Sequence, residues 1–349
     1  MRTGADVYVL TRADRVFARV NSMRGGTVLA TDIPVSGLVV EASVDRDVPE
    51  RVEFVAPLEF VPDSPYAPLN NYGQRVQVVA VVSAGGVEYE TEIGWFVLTD
   101  PFEERKEGVR VTGMGLLQVL DDAPLSFPLS PNRGERLWDA VKRLSPFIPS
   151  VLEDESDNPV VSVDTQWGVS RSASLRELCA AYGFDYAVRP DGYLHVWRRR
   201  TAGSPDAFYS GRDLLVESPR RGVERRPNRW VVVSQKDGKD GHRWVSEASD
   251  VAPPYDVAGY GLVVDRRELS DAKTFGDVKA AADRNMRNGV SVASARRFEI
   301  VCDPRIEVGD VVSVETLQGE TVVGRVRAYS MPISEPGKTM RVDVEVLAW

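Results

Sequence analysis

The chain has 349 residues, 43 % of them apolar and 27 % charged, and carries a net charge of −9. A length beyond one ordinary core predicts two to four domains, and the acidic balance argues against a surface that grips nucleic acid, which needs clustered basic charge. No run of about 18 apolar residues occurs, so no membrane-spanning segment is expected; the start, MRTGADVYVLTRADRVFARV, is broken by Arg and Asp and lacks the apolar stretch of a signal peptide, so synthesis in the cytoplasm is expected.

From Asp6 to about Gly113, short valine-rich bursts alternate with turns. DVYVL, RVFARV, LVVEASVD, RVEFVA, RVQVVAVV, VEYETEIGWFVLT and GVRVTG all suit strands. RGG at 24–26, PDSP at 62–65, NNYG at 70–73 and AGG at 84–86 separate them. This segment is expected to form a β-barrel or β-sandwich.

Two helices follow. Asn132 and Glu135 have the spacing of a capping box, ahead of Leu137, Trp138, Val141 and Leu144 at helical spacing. Ser174 and Glu177 make a second such pair. Leu175, Leu178, Cys179 and Tyr182 then share one face, and Gly183 suits a left-handed stop. Phe184, Tyr186 and Val188 alternate as a strand, Pro190-Asp191-Gly192 turns, and Tyr193 to Trp197 returns. Asn132 to Arg200 therefore reads as a small α+β unit, with the acidic loop EDESDN at 153–158 between its helices.

Beyond Ala202 the chain is strand-like again. RPNRWVVVSQ and HRWVSEA flank the turn KDGKDG. A third helix is predicted over TFGDVKAAADRNMRNG. Thr274 and Asp277 cap it, Phe275, Val278, Ala282 and Met286 form its face, and Gly289 stops it. RRFEIVCD, GDVVSVET, GETVVGRVRAYSM and MRVDVEVLAW close the chain as strands, and no repeat of 20–50 residues is visible.

Residues able to carry chemistry do not converge. Cys179 and Cys302 are far apart and read as buried free thiols without disulfide or zinc partners. His195 reads as a half-exposed strand residue on the face of Tyr193 and Trp197, and His242 as part of a solvated loop. No metal-type His spacing, G-x-S-x-G, H-E-x-x-H or P-loop occurs. EDESDN offers Asp154 and Asp157 to calcium but lacks the alternation and central glycine of an EF-hand. A solvated charge run is expected there. GMGLL at 113–117 lacks the third glycine of a dinucleotide fingerprint. RRR at 198–200 and RRGVERRPNR at 220–229 have few aromatic neighbours for stacking bases. Solvation, or pairing with acidic surfaces of neighbouring subunits, is expected of them. No catalytic, cofactor-binding or metal-ligating residue is assigned, and no cofactor is expected.

The order of segments is more specific than any motif. IPVSGLVVEASVDRDVPERVEFVAP, LNNYGQRVQVVAVVSAGGVEYETEIGWFVLTD, VRVTGMGLLQVLDDAPLSFPLSPNRGERLWDAVKRL and the helix–hairpin unit follow one another as in the minor tail proteins of long-tailed phages that form the tail-tip, or baseplate, hub. The chain resembles that family over residues 1–205, and more weakly beyond, where DPRIEVGDVVSVE fits a late strand segment. The resemblance implies a mainly β fold with an α+β insert: an N-terminal β-barrel at 1–125, a small helix–hairpin domain at 126–205, and a second hub-type β-barrel with one helix at 206–349, with strands exchanged between barrels. It also implies a non-enzymatic homotrimer at the virion tail tip, whose two barrels per chain make a pseudo-sixfold ring around the DNA exit channel. Implied partners are the distal tail protein, tail tube and tape-measure protein above, and a central fibre or receptor-binding proteins below, without specific nucleic-acid binding. The alternative is a cell-wall-directed sugar-binding module or glycan hydrolase. It is motivated by plentiful carboxylates and by Trp and Tyr on β-rich segments, and it requires an aromatic platform or a carboxylate pair about 5–9 Å apart.

Overall fold

The computed structural model describes every residue except 164, 201–203, 212–214, 218–224, 236–242, 270–271, 273, 294, 334–337 and 348–349. The predicted turn at 236–241, His242 and residues 220–224 of the second Arg cluster lie outside the described residues. The chain forms two compact units, Met1–Ser218 with Arg297–Trp349, and Pro219–Arg296.

The fold is mainly β, as expected, with 43 % of residues in strands against 16 % in helices. One helical turn, α1 (Val7–Leu10), precedes strands β1 (Arg15–Arg24), β2 (Thr27–Ile33), β3 (Ser36–Ser43), β4 (Glu50–Ala56), β5 (Gln74–Ala84), β6 (Val87–Leu98), β7 (Glu103–Arg105) and β8 (Gly108–Gly115). DVYVL has the composition of a strand but does not form one. The Asp6 carboxylate accepts the Val9 N–H at 2.9 Å and caps a helical turn instead. β2 has no sequence signal, because it is an edge strand with only Ile33 buried. β7 likewise has no sequence signal, all three of its residues being exposed. β1, β3, β4 and β8 alternate as read: Val52, Phe54 and Ala56 of β4 point inward, while Glu53 turns outward and meets Arg110 of β8 at 3.1 Å.

The next elements are α2 (Gln118–Asp121), α3 (Leu137–Leu144), β9 (Ser150–Leu152), α4 (Arg171–Tyr182), β10 (Phe184–Val188) and β11 (Leu194–Arg198). They share a core that includes Leu120, Leu137, Val141, Trp167, Leu178, Phe184 and Val196. The two predicted capping boxes are displaced. Asn132 and Glu135 close a turn before α3, with the Asn132 N–H donating to Glu135 Oε2 at 2.5 Å. Asn158 supplies the missing acceptor, taking the Trp138 N–H at 3.0 Å. Helix α4 begins at Arg171, ahead of the predicted cap at Ser174, and Ser170 Oγ caps it on the Ala173 N–H. Ser174 lies within the first turns of that helix, and its hydroxyl donates back to the Ser170 carbonyl at 2.6 Å. Gly183 ends α4 in the left-handed conformation, at φ 73°.

Strands β12 (Ala207–Tyr209) and β13 (Leu215–Glu217) lead into the second unit. There β14 (Arg229–Ser234) lies between β15 (Val245–Ser249) and β16 (Val264–Leu269), and the elements α5 (Val257–Tyr260) and α6 (Phe275–Ala293) complete it. Thr274 and Asp277 cap α6 reciprocally, as predicted. Val278, Ala281 and Ala282 bury against Val232 and Ala248, whereas Phe275, expected on that face, is half exposed. Gly289 does not stop the helix. It lies where the buried Trp230 ring packs on α6, and a Cβ there would sit 2.5 Å from Trp230 Cζ2.

The chain closes with β17 (Ala295–Val301), β18 (Val311–Glu315), β19 (Thr321–Pro332) and β20 (Thr339–Val346). These return to the first unit. A 14-stranded sheet runs β13-β17-β20-β19-β3-β4-β8-β6-β5-β1-β2, with β18 and β12 joined through β19 and β7 on β8. β19 changes partner along its length: Thr321–Arg325 pair with β18, and Ala328–Pro332 pair with β3. Phe54, Val78 and Phe96 thus share one core with Phe298, Val326 and Met340. Compact units do not follow the expected boundaries at 125 and 205. The reason is this long-range pairing, which joins Arg297–Trp349 to the N-terminal strands while 219–296 packs by itself.

Candidate functional site

The residues singled out in the sequence are committed to separate structural pairs. His195 shares a hydrogen bond of 2.9 Å with Asp191 and lies 3.5 Å from Glu153. Burial raises the Asp191 carboxyl, but the Tyr193 N–H and His195 outweigh it and hold it below its usual range. Asp157 receives both Arg198 Nε, at 2.6 Å, and Arg198 Nη2. Asp154 accepts the Ser156 N–H and hydroxyl. EDESDN is therefore a bonded turn. Among the described residues, no three His, Cys, Asp or Glu side chains are grouped to hold a metal. Both cysteines are buried and free, and burial pushes the thiols up, that of Cys302 to about 12; neither is poised as a nucleophile. Gly113 packs against Phe96 and Val52, and Gly115 faces Glu50, so GMGLL serves close packing. Arg199 pairs with Asp185, and Arg200 with Asp206. No helix of the described chain is long and apolar enough to cross a membrane.

Polar side chains concentrate instead where the N-terminal peptide meets loop 303–310. The Arg2 N–H donates to the Arg305 carbonyl at 2.8 Å. Arg2 Nη1 donates to the carbonyls of Pro304 and Ile306, and Nη2 to the Tyr329 hydroxyl at 3.2 Å. Burial alone would lower the Arg2 guanidinium; Tyr329 and Glu307 outweigh it and raise it. The Met1 nitrogen donates to Asp310 Oδ1 at 2.7 Å. Beneath the loop, the fully buried Asp303 receives Arg305 through both oxygens, at 2.9 and 2.7 Å, and the Tyr209 hydroxyl at 2.7 Å. Burial and the adjoining Asp303 carboxylate drive the Tyr209 phenol well above its ordinary value. These bonds tie residues at the start of the sequence to the strands that end it.

The helix–hairpin unit is pinned beside the same junction. Trp95 Nε1 donates to the Pro190 carbonyl at 3.0 Å, Arg176 meets Asp47 at 3.0 Å, and Arg325 meets Asp185 at 3.2 Å. A groove of about 410 Å³ opens between Met1, Arg2, Glu92, Arg189 and Asp191. Its charges are mixed and it contains no grouped nucleophile and base. Arg2, Glu50, Glu307, Asp310 and Tyr329 all escaped sequence reasoning. Each is an ordinary surface-type residue until β3 and β19 pair and bring their neighbourhoods together.

No protein-family model matches the chain, and no curated protein matches it. Solved structures do. A tail protein from Neisseria meningitidis MC58 aligns with 94 % of this chain and 96 % of its own, at TM-score 0.63 and 14 % identity. The 43 kDa tail protein of prophage MuSo2 from Shewanella oneidensis aligns with 93 % of this chain and 98 % of its own, at TM-score 0.60 and 11 % identity. The chain has a phage tail-protein fold. The VgrG complex of Francisella with PdpA shares that fold at TM-score 0.55 and 7 % identity; the match takes in 96 % of this chain and 58 % of the other. The tail-protein fold thus accounts for the segment order that carried the family resemblance.

Proposed function

We propose that the chain is a structural component of a bacteriophage tail, a tip hub that works by geometry and not by catalysis. The observation that carries this reading is the tail-protein fold extending over 94 % of the chain. In the proposed assembly three copies form a pseudo-sixfold ring, each chain giving two hub-type β modules. The N-terminal strands β1–β8 supply one and the C-terminal strands around β19 the other. The ring joins the distal tail protein, tube and tape-measure protein to a fibre or receptor-binding proteins, and it lines the DNA exit channel. Support for the lining comes from β6, where Glu88, Glu90 and Glu92 line up on one exposed face, Glu88 and Glu90 sharing the cation of Arg19; the net negative charge that remains lets DNA pass without adhering. The shared sheet supports the coupling of the two modules, since β3–β19 pairing makes them one body.

The test is size-exclusion chromatography with light scattering on the full chain, together with incubation on purified cell wall. Trimers at high concentration, with no released fragments and no co-sedimentation, are expected. Monomers at every concentration, or released glycan, would overturn the hub reading; glycan release would put the cell-wall enzyme in its place.

A further inference from the structure

Arg2, Glu50, Glu307 and Tyr329 belong to four separate segments, yet they line one cavity of about 20 Å³ that Ala187 and Val188 of β10 complete. That is room for one water molecule. Arg2 is 8 % exposed, and its Nε makes no hydrogen bond, lying 3.7 Å from Glu307 Oε1. Glu50 Oε2 is likewise buried without a hydrogen-bond partner. An unpaired buried donor and an unpaired buried acceptor are both costly. A single water that accepts from Arg2 Nε and donates to Glu50 Oε2 satisfies both.

We propose that this cavity is a binding site for one bridging water, and that the water and Glu50 form a proton-controlled latch holding the N-terminal peptide on the sheet. The groups facing Glu50 are Arg2 from the N-terminal peptide, Glu307 from loop 303–310, Tyr329 from β19 and Tyr186 from β10. Only Arg2 is cationic, and its other nitrogens already serve Tyr329 and two carbonyls. An ionised carboxylate offers about four lone-pair sites, and one water cannot solvate them. Ionisation therefore favours entry of more water, and the wall set to yield is the N-terminal peptide, tied to loop 303–310 by one backbone hydrogen bond, Arg2 N–H to the Arg305 carbonyl, where β10 and β19 are held by strand pairing. Burial, opposed by the backbone hydrogen bond and Arg2, pushes the Glu50 carboxyl from 4.5 to about 7. Opening releases the proton across that window, so the open fraction rises with pH between these values and levels off above.

Hydrogen exchange on the full chain tests the latch. Protection of amides in the stretch Arg2–Val7, corrected for intrinsic exchange, is compared at about pH 5 and about pH 8. Protection is expected to fall more than about tenfold in the unsubstituted chain and to change less than about twofold in Glu50→Gln. The same pH dependence in both chains would overturn the proposal. Should Glu50→Gln not fold, an experimental density map of the unsubstituted chain at about pH 5 decides: a water within hydrogen-bond distance of Arg2 Nε and Glu50 Oε2 is expected. Direct contact between the two side chains would overturn it.

Discussion

Gly289→Ala separates packing from helix propensity. In an exposed helix interior this change normally stabilises by about 1 kcal/mol. Here the added Cβ would lie 2.5 Å from Trp230 Cζ2, 2.8 Å from Cε2 and 2.9 Å from Nε1. Ordinary carbon contacts are about 3.5–4.0 Å, so three ring atoms overlap at once. The ring cannot retreat: Trp230 is 2 % exposed and sits in the central strand β14, paired on both sides. Overpacking of this kind costs about 1–3 kcal/mol. With the propensity gain subtracted, a net destabilisation of up to about 2 kcal/mol is expected for the second unit, against the gain of about 1 kcal/mol that propensity alone would give. Peptide-resolved hydrogen exchange over β14 and α6 reads that unit separately from the first. Gly276→Ala in the same helix is the control, since its Cβ would meet only Thr274 Oγ1 at 3.4 Å; it should be neutral or slightly stabilising. If Gly289→Ala raised protection as Gly276→Ala does, the close approach of Trp230 to α6 would be refuted.

Further outcomes can be measured by chemical or thermal unfolding. Asp303→Asn weakens the acceptor of Arg305 and Tyr209 in a fully buried site and should cost about 3–5 kcal/mol; an unchanged melting temperature would contradict the tie between loop 303–310 and β12. Gly108→Ala places a Cβ 2.2 Å from the Ala56 carbonyl oxygen at φ 153° and should cost at least about 1–3 kcal/mol. Ser170→Ala removes the α4 cap and should cost about 1 kcal/mol, with Ser170→Thr close to neutral. Glu50 holds its proton in the folded chain up to about 7 but releases it near 4.5 when unfolded. Stability should therefore fall by roughly 2–3 kcal/mol as pH rises between these values. Asp310, raised by burial from 3.8 to about 6, acts with the same sign. Urea midpoints across this range should flatten in Glu50→Gln.

Local physics made much of the fold legible. The β1, β4 and β8 strands alternate clearly because one face of each is buried, whereas β5 is buried on both faces over Val78–Val82 and reads as a valine-rich run. The β10–β11 hairpin was readable because Gly183 and the Pro190-Asp191-Gly192 turn fix its ends. Capping was less legible where the acceptor comes from elsewhere: Asn158 caps α3 from 20 residues away. Gly289 misled because a glycine that admits an indole looks, in sequence, like a glycine that ends a helix. The junction was hidden for a topological reason. Arg2 and Tyr329 are 327 residues apart, and no local pattern announces that the N-terminal peptide lies on loop 303–310. Site chemistry fared differently. His195 reads in sequence as a half-exposed strand residue, and Asp154 and Asp157 as a solvated charge run; His195 and Asp154 bond the nearby Asp191 and Ser156, whereas the partner of Asp157, Arg198, lies 41 residues away and no local pattern shows it.

Cryo-electron microscopy of intact phage tails containing this chain tests the hub most directly. Three copies are expected at the tip, closed into a ring in which each copy contributes two β modules around an acidic channel. Density that places the chain as a single copy, or outside any ring on the tail axis, would contradict it.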